Sequence, residues 1–178
     1  MSGLYLASQS PRRTELLHQV GIDHTVVTSS YVEDNVVITD PIEMVKAQAL
    51  GKARCANDVP DGGIVLGADT IVVFDGKVLG KPHSKDEART MLRTLSGQVH
   101  SVITGVALLI KGREIVFHNE TKVYFKTLQD FEIESYIDSM EPMDKAGAYG
   151  IQGKGALWVD KIEGSYTNVV GLPVEHVY

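Results

Sequence analysis

The sequence predicts an α/β fold built on a mixed β-sheet. Short apolar runs of strand character alternate with capped helical segments along the first half of the chain. Two long β segments, near 99–111 and 114–126, then follow one another across Lys111-Gly112-Arg113 as an antiparallel meander. No Pro/Gly/Ser-rich linker divides the chain, so residues 1–178 read as a single domain, long enough for two closely joined lobes.

Leu4–Ala7 is a short buried strand. Ser10 stands as an N-cap before Pro11 at the first helical position, and the helix runs to Val20 with Leu16, Leu17 and Val20 inward and Gly21 as its stop. Thr25–Thr28 is a second strand, and Ser29–Thr39 a loop carrying Glu33 and Asp34. Asp40-Pro41-Ile42-Glu43 starts a helix to about Ala56 that buries Ile42, Val45, Ala49 and Ala53. Ile64–Gly67 and Thr70–Phe74 read as two strands, followed by an Asp75-Gly76 hairpin turn. Ser84-Lys85-Asp86-Glu87 is a capping box for a helix burying Ala88, Met91, Leu92 and Leu95 and ended by Gly97. After the meander come a helix over about 129–139, a glycine-rich loop at 147–155, and strands at Leu157–Asp160 and Tyr166–Val169.

A hydrophobic fraction of 43% supports a real core, and a net charge of −6 argues against a protein that coats nucleic acid. A sequence pI near 5.5 agrees. The single cysteine, Cys55, has no metal-ligand spacing around it and reads as a buried small side chain. No apolar run approaches a membrane span and the N-terminus does not read as a signal peptide, so the expected location is the cytosol. The histidines are scattered, and no HExxH, G-x-S-x-G or CxxC pattern occurs.

Two segments stand out chemically. In the first, an apolar strand runs into Ser8-Gln9-Ser10-Pro11-Arg12-Arg13. Arginines in a first helical turn oppose the partial positive charge there, which makes sense if an anion docks on the backbone N–H groups, hydroxyls and guanidinium forks. A capped helix with two solvated arginines is the plainer alternative. In the second, glycines at 147, 150, 153 and 155 open the backbone to a ligand. Gln152 among them offers both a donor and an acceptor to a base edge, and Tyr149 offers a ring for stacking. The plainer alternative is a flexible surface loop.

Between these, Gly67-Ala68-Asp69-Thr70 brings a carboxylate to a strand end. That is costly unless Asp69 is paired, satisfied by turn amides, bound to a metal or acting as a base for water. Gly80-Lys81-Pro82 is not a P-loop, because the glycine spacing is one short and Pro82 replaces the magnesium-binding hydroxyl. Lys81 can still point at a phosphate. Lys52, between Gly51 and Ala53, and Glu33 read by themselves as solvated charges.

Together these segments resemble the Maf family of nucleoside triphosphate pyrophosphatases. The matching pieces are Leu6 to Arg13, Gly67 to Thr70, Gly80-Lys81-Pro82, Leu95-Ser96-Gly97, Asp144 to Gly153, Gly164-Ser165-Tyr166 and Val170 to Pro173, in order along essentially the whole chain. The resemblance implies an elongated α/β fold similar to inosine triphosphate pyrophosphatases, with a mixed sheet flanked by helices and two lobes around a cleft. It implies hydrolysis of a nucleoside triphosphate to the monophosphate and pyrophosphate with Mg²⁺ or Mn²⁺. Arg12, Thr70 and Gln152 place the chain with the dTTP/UTP subgroup as specificity positions, and Asp69 corresponds to the proton acceptor. Ser8, Arg13, Lys52 and Lys81 match phosphate-binding positions, and Glu33 joins Asp69 as a metal position. A homodimer is expected on the same ground. Hydrolysis of 7-methyl-GTP or another modified nucleotide is one alternative, and a nucleotide-binding regulator of septum formation without turnover is another. The chain departs from the family pattern at Gly51, where that pattern often has Glu, and it ends five residues after Pro173, where the pattern continues into a further helix.

Overall fold

The computed structural model describes residues 3–33 and 38–178. Asp34, expected beside Glu33 in the acidic loop, lies outside the described residues. The elements run β1 (Leu4–Leu6), α1 (Pro11–Gln19), β2 (Thr25–Val26), α2 (Pro41–Arg54), β3 (Ile64–Phe74), β4 (Lys77–Leu79), α3 (Lys85–Leu95), β5 (Val99–Ile110), β6 (Arg113–Phe125), α4 (Asp130–Asp138), β7 (Val159–Glu163), α5 (Tyr166–Val170) and α6 (Val174–Val177). Among the described residues seven strands form one mixed sheet in the order β2-β1-β3-β5-β6-β7, with β4 paired to β3. β1 pairs in parallel with β2 and β3, whereas β4 on β3 and β7 on β6 are antiparallel.

The chain divides into two compact units. The first comprises residues 1–70, 103–119 and 171–178. Its core joins Ala7, Val27, Ala49, Ala53, Val65 and Ala107. Small residues dominate here because α2 lies directly on the sheet. A Cβ on Gly67 would stand 2.3 Å from the Ala49 carbonyl oxygen, and one on Gly105 would stand 2.2 Å from that of Val45. Two glycines therefore set the depth at which α2 rests. The helix begins as its sequence dictates: Asp40 accepts a hydrogen bond from Glu43 N at 3.0 Å, and Pro41 follows.

The second unit comprises residues 71–102 and 120–170. Its core packs Leu92, Leu95, Val123, Ile133 and Ile137 against the rings of Phe125, Tyr136, Tyr149 and Trp158. Phe125–Tyr149 and Tyr136–Trp158 meet edge to face with centroids 4.6 Å apart. α3 starts at the expected cap, with Ser84 Oγ accepting from Glu87 N at 3.1 Å. The β3–β4 hairpin turns at Asp75 and Gly76, both at positive φ.

Several expectations are corrected. β3 is one continuous strand, so Asp69 sits within it and not in a turn between two strands. Tyr166–Val170 is helical, because Ser165 Oγ accepts from Asn168 N at 3.1 Å as a helix cap. This local bond outweighs the strand preference of the β-branched Thr167, Val169 and Val170. Val20 is 49% exposed, since α1 stops one residue before it. Ile42 and Cys55 are half-buried. Residues 146–148 and 154–158 form 3-10 turns in place of an open glycine loop, and the last strand begins at Val159. There a Cβ on Gly155 would meet the Gly150 carbonyl oxygen at 2.4 Å, so that glycine serves the chain's own close packing.

Candidate active site

In the first unit the pleat of β3 turns successive side chains to opposite faces. Asp69, two residues beyond Gly67, shares the face on which α2 rests. Lys52, one helical turn beyond Ala49, comes down onto the same face. The Lys52 ammonium donates to Asp69 Oδ1 at 2.8 Å and lies 2.7 Å from Glu33 Oε1. One ammonium thus bridges two carboxylates. The Asp69 side chain is 16% exposed and Glu33 is 54% exposed, so the cluster opens toward solvent on the Glu33 side. Oδ2 of Asp69 has no protein hydrogen bond among the described residues and is available to a ligand or a water molecule.

Thr70, on the opposite face of β3, meets α1. The Arg13 guanidinium is buried and spends its donors on three partners: Nε on the Gly171 carbonyl at 2.8 Å, Nη1 on Ser8 Oγ at 2.9 Å and Nη2 on Thr70 Oγ1 at 3.0 Å. Thr70 Oγ1 also lies 2.8 Å from the fully buried Thr104 hydroxyl. Burial pushes the Arg13 pKa down to about 10, opposed by the charge of Asp69 and deepened by that of Arg12. Arg13 is therefore still a cation at neutral pH, a buried charge kept by hydrogen bonds and by the Asp69 carboxylate. Ser10 holds the N-cap position of α1 without a side-chain cap bond, and its N–H turns back to Ser8 Oγ at 3.3 Å. No acidic residue lies in the first turn of α1, and Arg12 is half-buried.

The structure thus joins Ser8, Arg13 and Thr70 in one hydrogen-bonded group and Glu33, Lys52 and Asp69 in a second, with the Asp69 charge felt at Arg13. Lys81 and Gln152 belong to the second unit, where both are exposed. Tyr149 does not offer a face for base stacking. It is 5% exposed, its hydroxyl lies 2.6 Å from His100 Nε2, and its ring packs on Phe125. Sequence reasoning missed Thr104, a hydroxyl within an apolar strand run, and the Gly171 carbonyl, which no side-chain pattern announces.

The donor set suits a divalent cation of the magnesium type. Such ions take one or two carboxylates and complete their shell with phosphate and water oxygens. Asp69 and Glu33 supply two carboxylates gathered around the Lys52 ammonium. Among the described residues no group of three or more His, Cys, Asp or Glu forms a self-sufficient metal cage. No helix among them is long and apolar enough to cross a membrane.

Comparison with known proteins places the chain in a family. A family described as Maf-like protein matches residues 3–178. The chain is 53% identical over 174 residues to a dTTP/UTP pyrophosphatase of Symbiobacterium thermophilum, covering 98% of this chain and 90% of that relative. It is 51% identical over 177 residues to a dTTP/UTP pyrophosphatase of Carboxydothermus hydrogenoformans, covering 98% of this chain and 95% of the relative. A dTTP/UTP pyrophosphatase of Bacillus cereus is 46% identical over 174 residues, covering 98% of this chain and 91% of the relative. A family match along nearly the whole chain, with relatives at this identity, means that the chain belongs to the Maf-like protein family.

Proposed function

We propose that this chain hydrolyses dTTP and UTP to the nucleoside monophosphate and pyrophosphate. The observation that carries the reading is the Lys52 ammonium shared by Asp69 and Glu33 on the strand face beneath α2, in a chain whose relatives bear the name dTTP/UTP pyrophosphatase. Asp69 is the base. Lys52 fixes Oδ1, so that Oδ2 can orient a water molecule and accept its proton as the oxygen attacks the α-phosphorus. The bond from the α-phosphorus to the bridging oxygen breaks, and pyrophosphate leaves. Asp69 and Glu33 would hold Mg²⁺ or Mn²⁺ together with phosphate oxygens; bound there, the cation offsets phosphate charge. Catalysis is then mostly positioning and charge stabilisation.

Ser8 and Lys81 are the phosphate-binding residues of this proposal. Arg13, with its guanidinium committed to Ser8, Thr70 and Gly171, acts chiefly by holding the Ser8 hydroxyl in place. Arg12, Thr70 and Gln152 are the specificity positions. The exposed Gln152 amide has a donor and an acceptor, which suits the carbonyl and N–H edge shared by uracil and thymine. Cytosine reverses a donor and an acceptor on that edge, a mismatch costing roughly 1–3 kcal/mol per unsatisfied buried group.

The test is pyrophosphate release with Mg²⁺ or Mn²⁺ across dTTP, UTP, CTP, 7-methyl-GTP and ATP, with orthophosphate followed in parallel. Pyrophosphate from dTTP and UTP but not CTP is the expected result. Orthophosphate in its place overturns the site of attack, equal cleavage of CTP overturns the base reading, and preference for 7-methyl-GTP moves the chain to modified nucleotides. Nucleotide binding without turnover would leave a regulator.

A further inference from the structure

Glu33 is held by little that is visible in its own bonds. More than half of its side chain is exposed, and its one ionic partner among the described residues is Lys52. An exposed ion pair is worth too little to fix a loop residue against the entropy of the loop. Something else must set the path of the chain two residues upstream.

That segment is pinned to the last turn of α2. Ser29 Oγ donates to the Lys52 carbonyl at 2.8 Å, Ser30 N donates to the Cys55 carbonyl at 3.0 Å, and Tyr31 N donates to Ser29 Oγ at 3.3 Å. The Tyr31 ring then lies flush on the helix at Gly51. A Cβ at residue 51 would stand 2.2 Å from Tyr31 Cε2 and 2.5 Å from Cζ, distances no real side chain tolerates. The ring occupies the place of a side chain at position 51, so any Cβ there would displace the ring. Tyr31 Oη makes no hydrogen bond among the described residues, so the contact is made by the ring face.

We propose that Tyr31, seated on the bare helix face at Gly51, is a positioning residue that delivers Glu33 to Lys52 and so completes the charge cluster around Asp69. The functional part of this inference rests on the reaction proposed above; the seat itself does not. Glycine within a helix is otherwise a disadvantage, and alanine there would strengthen α2 were the ring absent. A loss on Gly51→Ala consequently reports the displaced ring and not the helix.

The experiment compares Tyr31→Phe, Tyr31→Ala and Gly51→Ala, and repeats Tyr31→Ala in a Glu33→Gln background. Pyrophosphate release from dTTP and the thermal midpoint are measured for each. Tyr31→Phe is expected within about twofold of the unsubstituted protein, while Tyr31→Ala and Gly51→Ala each lose about tenfold in kcat/KM, a typical coupling for residues in contact. In the Glu33→Gln background Tyr31→Ala is expected to add less than about twofold, because the residue it positions is already disabled. Full additivity there, or a neutral Gly51→Ala, overturns the proposal. A crystal structure of the Tyr31→Ala protein supplies a readout independent of turnover. Glu33 is expected beyond about 4 Å from Lys52 Nζ with the Lys52–Asp69 contact kept. Retention of the Glu33 contact overturns the proposal even if the chain proves to cleave no nucleotide. Absence of pyrophosphate release from the unsubstituted protein overturns the reaction, and the crystal structure and the Gly51→Ala thermal midpoint still decide the seat.

Discussion

Lys52 and Asp69 meet at 2.8 Å because Gly67 has no side chain to hold α2 away from β3. The contact is thus built by backbone approach, and its chemistry can be separated from its support. Asp69→Asn keeps the shape and a partner for Lys52 but removes the proposed base. Turnover is expected to fall by about 10²–10⁴-fold, the span of general-base contributions, with an unchanged unfolding midpoint. Steady-state pyrophosphate release and thermal unfolding check both halves; near-full activity rules out Asp69 as the base.

Arg13 makes a different prediction, since its role lies in the wall behind the site. Arg13→Ala strips a donor from Ser8, Thr70 and the Gly171 carbonyl together. Ser8, Thr70 and the Gly171 carbonyl each keep one other bond, from Ser10 N, the Thr104 hydroxyl and the Thr70 hydroxyl, so the cost is that of the three lost bonds. At about 1 kcal/mol each, urea unfolding should show a loss of about 3 kcal/mol. Arg13→Lys keeps a charge but not the planar fork that reaches three partners, and should recover little of this loss. A fully stable Arg13→Ala protein would return Arg13 to the role of a simple phosphate ligand.

Much of this architecture was legible in local chemistry. Asp40 and Ser84 cap their helices as their spacing to Glu43 and Glu87 dictates, and Asp75-Gly76 turns the hairpin. The second arginine of the first helical turn was visibly out of place, and the structure resolves it by burial against hydroxyls rather than by solvent. What could not be read were tertiary choices. Tyr149 in a glycine-rich segment gives no local sign that it enters an aromatic core, and the β-branched Thr167, Val169 and Val170 concealed the cap supplied by Ser165. Lys52 read as solvated because its partner lies 17 residues away on another element, and Gly51 as a departure because the ring that replaces its side chain comes from position 31.

The same dependence on backbone approach predicts the effect of Gly67→Ala and Gly105→Ala. Each Cβ would fall within 2.3 Å of a carbonyl oxygen of α2, an atom that cannot swing aside. Overpacking of this kind costs about 1–3 kcal/mol, occasionally more. Gly67→Ala should also lower turnover, because lifting α2 withdraws Lys52 from Asp69. Chemical denaturation gives the first effect, and kcat measured well below the unfolding midpoint gives the second. Unchanged kcat in a destabilised Gly67→Ala protein would show that α2 can shift without moving Lys52.

A last prediction concerns acid stability and lies in the second unit. His100 is 2% exposed, its Nε2 faces the Tyr149 hydroxyl, and its Nδ1 has no hydrogen-bond partner among the described residues. Protonation would add a second N–H with no acceptor in an aromatic core, and burial accordingly pushes the His100 pKa down to about 4 from an ordinary 6.5. The unfolded chain therefore binds a proton between those two values that the folded chain refuses. Stability rises with pH wherever the unfolded state holds more protons, so the contribution is complete above pH 6.5 and is lost as pH falls toward 4. The loss is on the order of 3 kcal/mol for a shift of this size. His100→Gln keeps a polar partner for Tyr149 without a titrating ring and should flatten this part of the curve. Urea unfolding of both proteins between about pH 4.5 and 7.5 decides it, because parallel curves would mean that His100 titrates alike in the folded and unfolded chain.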